Sequence, residues 1–205
     1  MIKQTFYNLP EEKRNRISQA ILKEFSSAST EKVSINRIIK AAKISRGSFY
    51  QYFDDKVDLV EILIKTFFDV AYKEFRNAIT HTNGNIFDSY IKIFETVTDL
   101  SKDAERKCVL KNLFKNLKAN DSLISDYLAN RFDGDDEIKN LSKSFDREQL
   151  RFKSDEDVEL LKQILTQLLK NAIFNVYVNG KQVEEVRKNF LRKIEIIKKG
   201  ATTEE

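Results

Sequence analysis

The stretch 33-VSINRIIKAAKISRGSFYQYFDDKVDL-59 decides the fold. It reads as two short helices joined by a tight turn, followed by the start of a long helix. Ser34 suits an N-cap, since its hydroxyl can accept from an otherwise unpaired backbone N–H. Ile35, Ile38, Ile39 and Ala42 fall at helical spacing and give the first helix one apolar face. Lys43-Ile44-Ser45 forms the turn, with Ile44 set to plug the core and Ser45 to cap the second helix. In that second helix Phe49 and Phe53 are four apart and point inward together. Arg46, Ser48, Tyr50, Gln51 and Tyr52 are left for other faces. A short helix that offers such side chains to solvent gains little from its own fold, and it suits the major groove of a duplex.

These residues resemble the DNA-binding segment of the TetR family of bacterial transcriptional regulators. The resemblance is strongest over Ala41 to Leu59, against the run A-x-[IV]-S-[KR]-G-[ST]-[FL]-Y-x-[YH]-F-x-x-K-x-x-L, and it extends more weakly back to Phe25 and Ile17. Two departures stand out. Ser29 and Thr30 occupy the place where the family often has Gly and an aromatic residue. Lys43 stands where the turn often carries Gly, and a Lys adopts positive φ only at a cost.

Composition agrees with an all-α chain: 205 residues, 33% charged and 41% hydrophobic, with five Gly and one Pro. Residues 1–56 hold 11 Lys+Arg against 6 Asp+Glu, and the remainder holds 25 against 26. A basic N-terminal module on a near-neutral body is the footprint of nucleic-acid binding. The single cysteine, Cys108, excludes an internal disulfide and fits a reducing cytoplasm. Neither a signal peptide nor a membrane span is legible.

In order along the chain, residues 1–7 are expected to form a short arm. A helix starts at Asn8-Leu9-Pro10-Glu11-Glu12, with Asn8 as a candidate cap, and runs to about Ser26. Its Ile17, Ala20, Ile21, Glu24 and Phe25 trace one face, while Lys3, Lys13, Arg14 and Arg16 are candidate phosphate contacts or a solvated basic surface. Asp54-Asp55 caps a helix from Lys56 to about Ile79. Helices follow over Ile86 to Leu100 and about Lys102 to Leu117, the latter with Cys108, Leu110, Leu113 and Phe114 turned inward. Leu123 to Phe132 continue the helical pattern. The acidic turn Asp133 to Glu137 lacks the spacing of a calcium loop and reads as solvated, so no metal and no cofactor are expected. Residues 138–153 read as partly helical and partly extended, and the tail from Ala201 as disordered.

Ser154 caps a long helix whose apolar residues come in adjacent pairs, from Leu160/Leu161 to Val176/Tyr177. Such a belt covers well over half of the circumference, so it predicts burial on two sides. A last helix spans Val183 to Lys199. Helices at about 155–178 and 182–199 from two chains would make a twofold four-helix interface, and the resembled family dimerises in this way.

The expectation is therefore a helix-turn-helix domain over residues 1–56 and a helical effector-binding and dimerisation domain over 57–200. The resemblance implies a homodimeric, cytoplasmic repressor, released from a palindromic double-stranded operator by a small-molecule effector. DNA contacts are expected from Ser34, Ser45, Arg46, Gly47, Ser48, Tyr50, Gln51, Tyr52 and Lys56. Arg46 is the candidate for reading guanine, and Lys56 holds phosphate at a helix N-terminus. Phe67, Tyr72, Tyr90, Phe94, Phe114 and Phe174 are candidates for lining an apolar effector cavity, or are simply core. His81 reads as a helix-end residue. The sequence shows neither a nucleophile elbow, nor a phosphate-cradling glycine loop, nor a zinc-helix motif, which argues against an enzyme. A DNA-binding factor that needs no effector is the other alternative.

Overall fold

The computed structural model describes residues 2–124 and 142–203. These are helical apart from short connections, 3-10 turns and one isolated antiparallel bridge, Leu150 to Thr202. Tyr127, Leu128, Phe132 and the acidic turn 133–137 lie outside the described residues. The chain divides into two compact units, one of residues 1–69 and 108–130, the other of residues 70–107 and 131–205.

The first unit holds the helix-turn-helix. Helix α1 (Gln4–Tyr7) corrects the expected arm: Phe6 is buried and packs on Phe53 at 5.1 Å between ring centroids. Helix α2 (Glu11–Ser27) starts at Pro10 rather than at an Asn8 cap, and buries Ile17, Ala20, Ile21, Glu24 and Phe25. A 3-10 turn (Thr30–Lys32) leads into α3 (Ile35–Ala42), where Ser34 accepts from the Arg37 N–H. Helix α4 (Arg46–Tyr52) is capped by Ser45, which accepts from the Ser48 N–H.

The turn between α3 and α4 is a Schellman motif. Lys43 takes the left-handed conformation, φ 51° and ψ 49°. Its N–H donates to the Lys40 carbonyl, and the Ile44 N–H donates to that of Ile39. Phe49 and Phe53 pack at 5.2 Å in the core, as their spacing requires.

Helix α5 (Lys56–His81) begins at a double cap. The Asp55 carboxylate accepts from the Val57 and Asp58 N–H groups, and buried Asp58 accepts in turn from the Asp54 N–H. Val70, expected on the apolar face, is exposed.

Helices α6 (Ile86–Asp99), α8 (Asp155–Tyr177) and α9 (Val183–Ala201) build the core of the second unit. Phe94 stacks on Phe190 at 4.8 Å. Gly84, at φ 82°, cannot be replaced cheaply, because a Cβ there would lie 2.9 Å from the Asp146 backbone nitrogen. The tail is a further correction. Thr202 is buried, and the Thr203 N–H donates to the Gln149 carbonyl, so the chain is held to residue 203.

Helix α7 (Ala104–Ala119) departs from its expected face at Cys108, whereas Phe114 is buried and Leu110 and Leu113 are half-buried. Cys108 is exposed, and the buried positions are Phe114, Asn116 and Leu117. On α8 the belt is covered on one side by the chain itself, at Val158, Leu165, Ala172, Ile173 and Val176. Leu160 and Ile164 stay 52% and 51% exposed, as does Ile196 of α9 at 59%.

Candidate nucleic-acid interface

Helix α4 has an inner and an outer face, set by its seven residues. Phe49 and Tyr52 turn inward, whereas Arg46, Tyr50 and Gln51 are exposed. Tyr52 therefore corrects the expectation of a solvent-facing side chain. It is 5% exposed, packs on Phe6 and Phe53, and carries the Lys13 ammonium over its ring at 5.6 Å.

The outer face has internal order. One Arg46 guanidinium nitrogen, Nη1, donates to Asn36 Oδ1 at 3.0 Å, and Nη2 reaches the Tyr50 hydroxyl at 3.4 Å. The guanidinium also lies 5.6 Å from the Tyr50 ring centroid, a cation–π arrangement. Two of the five donors of this exposed guanidinium are thereby directed. Asn36, on the first turn of α3, was not singled out from the sequence. The available signal was a polar residue on the open face of an otherwise apolar helix start.

Ser45 and Ser48 share a 2.9 Å hydroxyl contact at the head of α4, and Gly47 lies between them. A Cβ on Gly47 would meet only Ser45 Oγ at 3.9 Å, so no internal packing demands glycine there. Ser34 is half-buried at the cap of α3. Lys56 is half-buried, with its ammonium 3.1 Å from the Glu31 carbonyl.

Several basic residues near this face are used internally. Lys3 donates to the Tyr50 carbonyl at 2.8 Å and pairs with Asp54 at 2.6 Å. The Lys3 ammonium beside it holds the Asp54 carboxyl below its usual range. The Lys3 N–H donates to the Tyr52 carbonyl, and the Thr5 hydroxyl to that of Gln51. The segment before α2 thus caps the C-terminal end of α4, whose last carbonyls would otherwise lack partners. Arg14 donates to the Tyr7 carbonyl, and Arg16 to that of Ala42.

Behind α3, buried Glu24 accepts from the Ser34 N–H at 2.9 Å and from Nε and Nη2 along one edge of the Arg37 guanidinium. Hydrogen bonding from Arg37 lowers the Glu24 pKa, against the opposing effect of burial. This pair bolts α2 to α3, and sequence reading placed Glu24 on the right face without finding its partner.

The six aromatic candidates for an effector site are divided between the two units. Phe67 and Phe114 pack edge to face at 5.8 Å in the first unit. In the second unit Tyr90 is buried, its hydroxyl shared with Thr166 Oγ1 at 2.7 Å and the Lys162 carbonyl at 3.0 Å. Phe94 lies under Phe190, the Tyr72 ring lies beneath the Arg76 guanidinium, and Phe174 is half-buried. A surface groove of about 310 Å³ runs between the start of α8 and the end of α9, lined by Phe152, Leu160, Leu161, Ile164 and Ile197 among others, and includes none of the six. His81 is exposed at the last position of α5. Among the described residues no helix is long and apolar enough to cross a membrane.

A short exposed helix presented by a Schellman turn and braced by a third helix defines a helix-turn-helix nucleic-acid-binding protein. Residues 17–63 match the family model described as bacterial regulatory proteins, tetR family, and residues 85–201 match the tetracyclin repressor-like C-terminal domain. An HTH-type transcriptional regulator of Staphylococcus aureus (strain USA300) is 27% identical over 188 residues, covering 89% of this chain and 92% of that protein. Among solved structures, a transcriptional regulator from Cytophaga hutchinsonii ATCC 33406 superposes with a TM-score of 0.62 at 17% identity, covering 94% of this chain and 100% of that one. A TetR transcriptional regulator from Rhodococcus sp. RHA1 superposes with a TM-score of 0.56 at 16% identity, covering 90% and 93%. The chain belongs to the TetR family of DNA-binding transcriptional regulators.

Proposed function

We propose that the chain is a cytoplasmic, homodimeric repressor that binds a palindromic operator through α4 and is released by a small-molecule effector. The observation that carries the DNA-reading part is the exposed Arg46, held between Asn36 and Tyr50. Arg46 reads a guanine through its remaining donors. Ser34, Ser45, Ser48 and Tyr50 contact the backbone or base edges, with Gln51 on the same open face. Gly47 lets the α4 backbone approach the duplex closely, and Lys56 holds a phosphate at the start of α5.

The exposed Leu160 and Ile164, which line a groove with Ile197 of α9, support dimerisation through α8 and α9, since apolar surface in water favours a partner. Reading belongs to residues 1–56, and effector binding and dimerisation to residues 57–200. Phe67, Tyr72, Tyr90, Phe94, Phe114 and Phe174 stand as the aromatic candidates for effector contact, of which Phe67, Tyr72 and Phe174 are half-buried. An effector that binds the DNA-free form better shifts the population away from the operator.

The test is selection from a random duplex library at about 0.15 M salt. The expected result is an inverted repeat whose half-sites lie about 34–36 Å apart or a multiple of that. On the selected site Arg46→Ala costs about 1–3 kcal/mol and relaxes preference at one position per half-site. Lys56→Ala weakens all sequences alike and flattens the salt dependence. Equal losses on all sequences for both variants would remove Arg46 as a base reader.

A further inference from the structure

Helix α7 carries Asn112 and Asn116 one turn apart on one face, and Asn120, the residue after its last, continues the four-residue spacing. That face meets the C-terminal end of α2. Asn116 is 2% exposed, and its amide is fully used. Its Nδ2 donates to the Phe25 and Ala28 carbonyls at 3.0 Å each, and its Oδ1 accepts from the Thr30 N–H at 2.8 Å and the Thr30 hydroxyl at 3.0 Å. Asn112 Nδ2 donates to the Ser26 carbonyl at 2.8 Å, and Asn120 Nδ2 to Thr30 Oγ1 at 3.3 Å.

The α2 helix needs this help. A helix leaves its last carbonyls unpaired, and a left-handed glycine commonly satisfies them. Here α2 ends at Ser27 and runs into extended Ala28, with Ser29 and Thr30 following. Asn112 and Asn116 of α7 supply from another helix what the connection lacks locally. Thr30 opens the 3-10 turn, and Ser29 accepts from the Lys32 and Val33 N–H groups just before α3 begins. Fixing Thr30 therefore fixes where α3 starts.

We infer that Asn116, flanked by Asn112 and Asn120, is a positioning residue for DNA recognition: it sets the α2–α3 connection and so the aim of α3 and α4 at the duplex. Packing alone does not call for three amides; an apolar face would fill the same space while leaving these carbonyls and the Thr30 N–H unpaired, which is costly when buried. A displacement of α7 then reaches the reading helices through four hydrogen bonds on one side chain. The inference rests on the DNA-reading assignment above.

The experiment measures operator affinity for the full chain, on the site selected by the wild type, at a temperature where circular dichroism shows every variant folded. Asn116→Leu, of similar volume, is expected to raise Kd about tenfold or more, the equivalent of one or two lost buried hydrogen bonds. Hydrogen exchange should quicken in α3 and α4 and stay unchanged in α8 and α9. Thr30→Val should weaken binding, and Thr30→Ser, which keeps the hydroxyl, should restore it.

Wild-type Kd for folded Asn116→Leu, with only a lower melting temperature, would overturn the inference. Should Asn116→Leu not fold, the Thr30 pair decides: equal affinity for Thr30→Val and Thr30→Ser overturns it. If the wild type itself enriches no sequence, the DNA-reading assignment falls, and the positioning role falls with it.

Discussion

Gly47 is the residue whose presence the fold itself least explains. Its backbone is helical, its Cβ position is open apart from a 3.9 Å contact with Ser45 Oγ, and glycine costs roughly 0.5–1 kcal/mol against alanine inside a helix. Something outside the chain must use the missing methyl, and a close-lying duplex backbone is the natural candidate. Gly47→Ala should therefore stabilise the free protein by up to about 1 kcal/mol and weaken operator binding at the same time. Melting curves and titrations of one preparation read both. A gain in stability with no loss of affinity would remove the close approach. Lys43 shows the opposite case, a residue paying for a left-handed turn where glycine would sit without strain. That requirement was legible through the resemblance, because the family often carries Gly where this chain has Lys43. Tyr52 was not legible. With Phe49 and Phe53 taken as the inward pair it was left for another face, and the packing of Phe6 from α1 shows that it belongs inside.

At the level of elements, α3 and α4 carry their own local signals: two serine caps, an apolar stripe on each helix and a tight turn. What holds them to α2 comes from far along the chain and is silent in sequence. Glu24 to Arg37 spans thirteen residues, and Asn116 reaches back about ninety. Polar residues on a helix face look alike whether they meet water or a buried carbonyl, so the Asn112 and Asn116 face of α7 went unread beside its apolar Phe114. The Glu24 pair makes a pH-dependent prediction. Hydrogen bonding from Arg37 lowers the folded-state pKa of Glu24 below its ordinary value of 4.5. Its contribution is therefore complete above about pH 5 and is lost as pH falls through the lowered folded value. Glu24→Gln should cost about 1–2 kcal/mol near neutrality, the lower part of the range for charged hydrogen bonds because Arg37 is largely in water. The gap from wild type should narrow on acidification below pH 4.5. Denaturant melts across that window check it, and a gap that stays constant or widens in acid would rule out the ionised pair as its source.

For the whole molecule, the proposed dimer makes one demand that stability measurements alone cannot meet. Leu160 and Ile164 are one helical turn apart on α8 and about half exposed, so in the single chain they contribute little burial. Changing both to lysine should leave the fold of one chain intact, since long lysine stems tolerate such half-open positions. It should nevertheless be severe for a twofold interface, where two charges from each partner would meet without counterions. The variant is expected to sediment as a folded monomer with unchanged helicity. Its loss of operator affinity should be far larger than any local effect, because two tethered reading heads gain about 10²–10⁴ in avidity over one. The same variant on a duplex holding a single half-site should bind as the wild type does there, since one head suffices. A double-lysine variant that remains dimeric would move the partner surface off α8. A monomer that still binds the full palindrome as tightly as wild type would mean that the two heads never acted together.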